Sequence, residues 1–328
     1  MADVLFVSVS FMISMAGAAY VAKFGLHMDI PNARSSHKAP IPRGGGIGIW
    51  GAFIVVTLTE TILFDFRPVF FALVLILSGV LGLMEDRLEL PSWIRLALQF
   101  LLSSFILSFV SGFPLSGSEW WIFLFLVIFI TGTTNFYNFM DGINGMAGLT
   151  GVVAFGLSAG FSLIVLKEAD YSFIGIVLAA GCAGFLPLNF PVARVFMGDV
   201  GSIFLGFSFA SIITGLSSSV SIFLCMTMFL CTFYADAVVT MYYRWRQGEG
   251  LTKPHRRHLY QYLSNELGLP HWKVSMLYAV IQLVVGGVSI LAYMAGLIYQ
   301  ISLIISFSLL FILCYRYVRS FSPVVLKN

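Results

Sequence analysis

Charge is what this sequence has least of. Only 10% of its 328 residues are charged, against 59% hydrophobic, which excludes an ordinary water-soluble globular domain. Cysteine is sparse too. Cys182, Cys225, Cys231 and Cys314 lie within apolar runs at no ligand-like spacing, which predicts small buried hydrophobes and excludes a disulfide framework or a zinc site. Alternation with period 2 is missing, so a membrane β-barrel is excluded. No period of 20–50 residues marks repeats, and no long polar stretch marks a soluble domain.

What remains is a series of charge-free runs, at 4–22, 44–59, 68–84, 96–118, 120–140, 142–166, 171–193, 200–235 and 274–315. Stretches long enough to cross about 30 Å of hydrocarbon thus recur along the chain, and there a lipid-facing backbone must satisfy its own hydrogen bonds as helix. The last two hold two spans each, breaking near "LSSSVS" (216–221) and "AGLIYQ" (295–300). The fold class is therefore all-α, a polytopic membrane protein of 11 helices. The first run lacks a basic leader and a cleavage site and reads as a retained span. With the N-terminus outside, 16 of the 18 Lys and Arg fall on one side, leaving Arg67 and Lys167 on the other. That asymmetry makes the charged side and the C-terminus cytoplasmic, with a periplasmic N-terminus. The expected organisation is one transmembrane catalytic unit over 1–328, its active-site loops at about 23–46, 85–95, 135–147, 191–201 and 244–273.

The chemistry-bearing residues crowd into those loops. The first, "KFGLHMDIPNARSSHKAPIPRGGGIG", places Arg43 and three glycines at the entry to the second span, a phosphate-facing arrangement if the glycine amides point at an anion. The second puts Glu85 and Asp86 side by side, so one must be neutral or both must face a cation. The third, "NFYNFMDGINGMAG" (135–148), lacks Lys and Arg altogether on a face otherwise rich in them. Turn chemistry explains "DGING" but not Asn135 and Asn138, which lie on the incoming helix. The fourth, "NFPVARVFMGDVGS", sets Asp199 where it could cap the eighth span. The fifth brings His255, Arg256, Arg257 and His258 together, a set suited to oxyanions rather than zinc. Asp236 lies about 12 Å into the ninth span and has no role assignable from spacing. Carboxylates ending three spans, with bases around them, suit Mg²⁺ and a diphosphate. An enzyme joining a soluble phosphorylated substrate to a lipid phosphate needs both. The rival class is a transporter or lipid flippase, which would place its ionisable residues near the midplane in paired halves.

"NFYNFMDGINGMAG", "FMGDVGSIFLG" and "HRRHLYQ", with "DIPNARSSHKAPIPRGGGIG" and the Glu85–Asp86 pair, together resemble the polyprenyl-phosphate N-acetylhexosamine-1-phosphate transferases, the bacterial glycosyltransferase family 4. The resemblance runs in register from about 23 to 262. Its "RSSH…PRGGG" and "HRRHLYQ" forms are most like the O-antigen-initiating members. It implies transfer of an N-acetylhexosamine 1-phosphate from a UDP-sugar to undecaprenyl phosphate in a bacterial inner membrane, releasing UMP, with Mg²⁺ or Mn²⁺. The partners implied are UDP-N-acetylhexosamine, undecaprenyl phosphate and membrane lipid, without nucleic acid and with a homodimer left open. A 6-deoxy sugar such as N-acetylquinovosamine or N-acetylfucosamine is favoured over N-acetylglucosamine. By position, Asp199 becomes the principal metal ligand, supported by Asp141 and Asn138. Glu85 and Asp86, the latter favoured, would deprotonate or orient the lipid phosphate, and His255, Arg256 and His258 would bind phosphates or nucleotide. Two departures stand out. Glu85 replaces the first acid of an Asp–Asp pair, and Asn144 replaces the second acid of "DGxDG", keeping only a hydrogen-bonding role.

Overall fold

The computed structural model describes residues 2–25, 27–31, 36, 39–64, 66–88, 90–112, 117–250 and 256–321. It is 82% helical, and among the described residues 11 helices are long and apolar enough to cross a membrane. They are α1 (Ala2–Phe24), α2 (Ile47–Phe64), α3 (Val69–Leu88), α4 (Ser92–Ser111), α5 (Gly117–Met140), α6 (Met146–Phe161), α7 (Ala169–Asn189), α8 (Asp199–Leu216), the combined α9 (Val220–Thr227) and α10 (Cys231–Arg246), α12 (His271–Ala295) and α13 (Leu297–Ser320). A short α11 (Leu259–Gln261) precedes α12. Both breaks expected within the long apolar runs are present, for the local reasons the sequence carries. Ser219 accepts from the Ile222 amide and so caps α9, and Gly296, at φ 118°, turns the chain between α12 and α13.

α8 forms the centre of the bundle: 89% of its span is buried, whereas α13, at 6%, lies at the periphery. Lipid tails are as apolar as leucine, so close packing and polar ties must hold helices together. Both occur here. α1 and α2 meet at Gly17 and Gly48, where a Cβ on Gly17 would lie 2.6 Å from the Gly48 Cα. α1 is also tied to α7, by Ser10 Oγ donating to the Val177 carbonyl at 2.8 Å and Ser14 Oγ to Gly181 at 2.6 Å. Cys182, Cys225 and Cys231 are buried as expected. Cys314 is not; it is exposed on α13, because that helix offers almost no inward face.

The loop with three prolines forms no helix among its described residues. Strands β1 (Met28–Asp29) and β2 (Ile41–Pro42) pair antiparallel and deliver Arg43 to the glycine run. Those glycines correct the anion-binding expectation. The Gly44 and Gly45 amides donate to the Phe196 carbonyl at 3.1 and 2.8 Å, and that of Gly46 to Met197 at 2.8 Å, so these N–H groups are already engaged. Their small size serves backbone contact: a Cβ on Gly46 would sit 2.7 Å from the Gly201 nitrogen and 2.9 Å from the Met197 carbonyl. Gly46→Ala should therefore destabilise the protein by about 1–3 kcal/mol in detergent unfolding. Gly51→Ala, one turn into α2 with nothing within 4 Å, should be neutral or stabilising by about 0.5–1 kcal/mol. Equal effects from the two would argue against a tight α2–α8 contact.

Candidate active site

The acids expected to converge are delivered to one end of the bundle by separate elements. Glu85 and Asp86 lie in the last turn of α3, Asp141 directly after α5, and Asp199 is the first residue of α8. The α3 and α8 backbones approach so closely that a Cβ on Gly82 would lie 2.7 Å from the Asp199 carbonyl carbon and the Val200 Cα. That proximity lets the short Asp86 side chain reach the start of α8. Its Oδ1 accepts from the Asp199 amide at 3.0 Å and its Oδ2 from the Val200 amide at 2.9 Å.

This corrects the expectation that Asp199 caps its own helix. The position before α8 is Gly198, held at φ 77°, and no side chain of its own segment caps the helix. Asp86 satisfies the orphan amides from 113 residues away. A carboxylate in the last turn of α3 opposes that helix's dipole, and the start of α8 supplies the favourable end of another. Gly198 must be glycine for its dihedral. A Cβ there would also lie 2.9 Å from Asp86 Oδ2 and from the Gly44 Cα.

Arg43 bridges the acids, its Nε 3.0 Å from Asp86 Oδ1 and its Nη2 2.8 Å from Asp199 Oδ1. Burial works to lower the Arg43 pKa, but the charges of Asp199, Asp86 and Asp29 outweigh it and the net shift is upward. Asn138 donates from Nδ2 to Asp199 Oδ1 at 2.7 Å and to Ser202 Oγ at 2.9 Å. Asp199 thus has one oxygen pinned and, among the described residues, the other without a hydrogen bond. No hydrogen bond or ion pair holds the Asp141 carboxylate among the described residues. Burial drives its pKa well above the ordinary range; Arg43 counteracts this, while Asp199 and Asp86 add to it. Glu85 turns aside, its Oε1 paired with Arg95 Nη1 at 3.0 Å and its buried Oε2 without a partner.

The remaining expected residues lie outside this cluster. Asn144 donates its amide to the Pro191 carbonyl at 3.4 Å, and its own carbonyl accepts from Ser275 Oγ at 2.8 Å, tying the third loop to the fourth and to α12. Arg256 is half-exposed and pairs with Glu266 at 3.8 Å. His258 is buried, its Nδ1 3.2 Å from Asp236 Oδ1. His255 lies outside the described residues. Asn135 is structural, donating to Gln99 Oε1 at 2.6 Å and to the Thr131 carbonyl at 2.8 Å.

Sequence reasoning missed two residues. Asn189 ends α7, accepts from the Gly145 amide at 2.7 Å and donates to the Val195 carbonyl at 2.8 Å, locking the third loop to the fourth. The signal was an asparagine closing an apolar run just before a proline. Tyr260 donates its hydroxyl to the Phe139 carbonyl at 3.1 Å, beside Asp141, and nothing in its local pattern marks it.

The donor set fits a hydrated divalent ion. Among the described residues no three His, Cys, Asp or Glu form a metal-holding group. One or two carboxylates, with water and substrate phosphates completing the shell, is how Mg²⁺ is commonly held. Asp199 and Asp141 would be the pair of oxygen donors for such an ion.

Comparison with known proteins finds sequence relatives of this chain. The chain is 29% identical over 206 residues to the "Probable undecaprenyl-phosphate N-acetylglucosaminyl 1-phosphate transferase" of Bacillus subtilis (strain 168), covering 60% of this chain and 57% of that protein. It is 33% identical over 159 residues to the "Phospho-N-acetylmuramoyl-pentapeptide-transferase" of Latilactobacillus sakei subsp. sakei (strain 23K), covering 42% and 49%. It is 26% identical over 291 residues to the "Decaprenyl-phosphate N-acetylglucosaminephosphotransferase" of Mycobacterium leprae (strain TN), covering 75% and 72%. The match to the first two thus spans only about half of those relatives' length. Residues 68–217, which hold Glu85, Asp86, Asn138, Asp141 and Asp199, match the family model "Glycosyl transferase family 4".

Proposed function

We propose that this protein transfers an N-acetylhexosamine 1-phosphate from a UDP-sugar to undecaprenyl phosphate, releasing UMP, on the cytoplasmic face of a bacterial inner membrane. The observation that carries this reading is the meeting of Asp141 and Asp199 beside Arg43 at the end of a lipid-embedded bundle. A diphosphate presented from water and a phosphate presented by a lipid can reach the same point there. In the reaction, an oxygen of the lipid phosphate bonds to the sugar-bearing phosphorus while that phosphorus loses its oxygen bridge to UMP. Bound Mg²⁺ or Mn²⁺ would neutralise diphosphate charge and would be held by Asp199 and Asp141.

This chain's residues then divide the work. Asn138 and Arg43 fix one Asp199 oxygen and leave the other free. Asp86, the base favoured on sequence, has both oxygens occupied by α8 amides and acts by holding α8 and Arg43 in place. Glu85 is turned aside onto Arg95 and its other oxygen is buried, so it acts by holding Arg95 rather than by presenting a free oxygen to the lipid phosphate. Direct attack is favoured over a covalent aspartyl intermediate, since a clamped diphosphate needs positioning more than a protein nucleophile. Arg256, His255 and His258 belong to the loop proposed to face the nucleotide.

The finer reading is that the product starts O-antigen or a related polysaccharide, with a 6-deoxy N-acetylhexosamine as the sugar. It rests on the "RSSH…PRGGG" and "HRRHLYQ" forms alone. UDP-N-acetylglucosamine is the competing donor, favoured by the names of two of the relatives. A transporter is disfavoured because the acids end helices at one surface, and Asp236, the deep one, is saturated by protein donors.

Asp199→Asn and Asp141→Ala should each lower UMP release from UDP-sugar and undecaprenyl phosphate on the order of a hundredfold or more, with the protein still monodisperse in detergent. Near-normal rates in either would remove that residue from the site. Across a panel of UDP-N-acetylhexosamines, the highest kcat/KM should fall on a 6-deoxy sugar. A preference for UDP-N-acetylglucosamine would overturn the branch assignment, and no release with any donor would overturn the transferase.

A further inference from the structure

Asp236 is fully buried on α10 and carries more hydrogen bonds than any residue of the acid cluster. Its Oδ1 accepts from the Leu259 amide at 2.8 Å and the Thr240 hydroxyl at 3.1 Å, with His258 Nδ1 at 3.2 Å. Its Oδ2 accepts from the Tyr278 hydroxyl at 2.7 Å and the Tyr260 amide at 3.2 Å. An ionised carboxylate offers about four lone-pair sites, so this one is saturated. A charge at this depth is costly unless so enclosed. Three of the five donors belong to consecutive residues, 258 to 260, and fasten the start of α11 to α10 and α12.

What that fastening holds is Tyr260. Its ring is 1% exposed and stacks on His258 with centroids 5.7 Å apart. Its hydroxyl donates to the Phe139 carbonyl at 3.1 Å, one of the carbonyls that the end of α5 leaves without a helical partner. The same ring fills the space beside Gly142, where an added Cβ would fall within contact distance of it, 3.0 Å from Cζ. Tyr260 therefore touches residues 139 and 142, on either side of Asp141, while among the described residues no hydrogen bond orients the Asp141 carboxylate and the Asp141 amide donates only to the Asn138 carbonyl at 3.3 Å.

We propose that Asp236 is a positioning residue for Asp141, acting from inside the bundle through Tyr260. The buried carboxylate sets the segment 258–260, and the tyrosine on that segment sets the turn that presents Asp141. The kinetic part of this inference rests on the proposed transferase reaction; the structural part does not.

The test uses the full chain in detergent or nanodiscs, with the variants Tyr260→Phe and Asp236→Asn. Hydrogen–deuterium exchange needs no substrate and reads the positioning directly. Tyr260→Phe should accelerate exchange severalfold across 138–145 while 258–266 stays protected, and Asp236→Asn should accelerate both. In turnover, Tyr260→Phe should lower kcat on the order of tenfold and raise the Mg²⁺ concentration for half-maximal rate. Its KM for the sugar nucleotide should stay within about twofold of wild type, since Asp141 acts on the reacting groups and not on the nucleoside. Unchanged exchange across 138–145 in Tyr260→Phe would overturn the proposal. So would a lowered thermal midpoint in that variant with kcat per folded molecule intact, the signature of a merely structural contact. Should Asp236→Asn fail to fold, Tyr260→Phe decides alone. A wild-type protein that releases no UMP would sink the transferase reading, and the exchange result would still decide the positioning.

Discussion

The hydrogen bonds from the first two amides of α8 to the Asp86 carboxylate hold the site together. A helix beginning at the end of a lipid-embedded bundle exposes amides that must find partners. α8 begins after a glycine that has no side chain to offer. Asp86 supplies both acceptors from α3, and the distance it can span is short. The two helices must therefore touch along their backbones, which Gly82 permits on one side and Gly198 on the other. Once Asp86 caps α8, Asp199 is released from capping its own helix. Its carboxylate can then face Arg43, Asn138 and whatever approaches from outside.

The electrostatics follow from that arrangement. Three aspartates share one arginine at this end of the bundle, and the partial positive charge of the α8 N-terminus lies directly beneath Asp86. Asp86 and Asp199 each contact Arg43, whose single positive charge offsets one of their two negative charges. Asp141 is left with burial and like charge around it, and both favour its protonated form. A hydrated cation between Asp141 and Asp199 would reverse that preference, so the unbalanced charge is itself an argument for where a cation belongs. Two described bases of the fifth loop face other acids: Arg256 pairs with Glu266, and His258 with Asp236.

The spans were legible because apolar runs and their interruptions are local properties. Ser219 caps α9 and Gly296 turns into α13 for reasons visible within a few residues of each. The convergence of Asp86, Asp141 and Asp199 was also legible, because helices that cross a bilayer alternately must end on alternate sides. Long-range pairing was not. Asp199 looked like its own helix cap because nothing in "MGDVGS" discloses that a carboxylate 113 residues earlier takes the amides. The three glycines at 44–46 looked like an anion cradle because a glycine run is equally suited to receiving phosphate oxygens or another backbone. Only the neighbouring carbonyls of Phe196 and Met197 decide between the two. His258 read as an oxyanion donor for the same reason: its partner lies 22 positions away on a different helix.

These long-range partners share a physical cause. In lipid, apolar packing alone gives helices little preference for one rotation or register over another. Buried polar groups remove that freedom, because only one alignment satisfies them. Asn135 on α5 pairs with Gln99 on α4, Thr232 on α10 donates to Gln282 on α12, and Gln282 in turn donates to the Thr150 carbonyl on α6. α5, α6, α10 and α12 are the helices from which the third and fifth loops hang. Ties made within the bundle therefore set the rotation of the helices whose ends carry Asp141 and Tyr260. The precision of the surface site is thus fixed largely by residues that no substrate can touch.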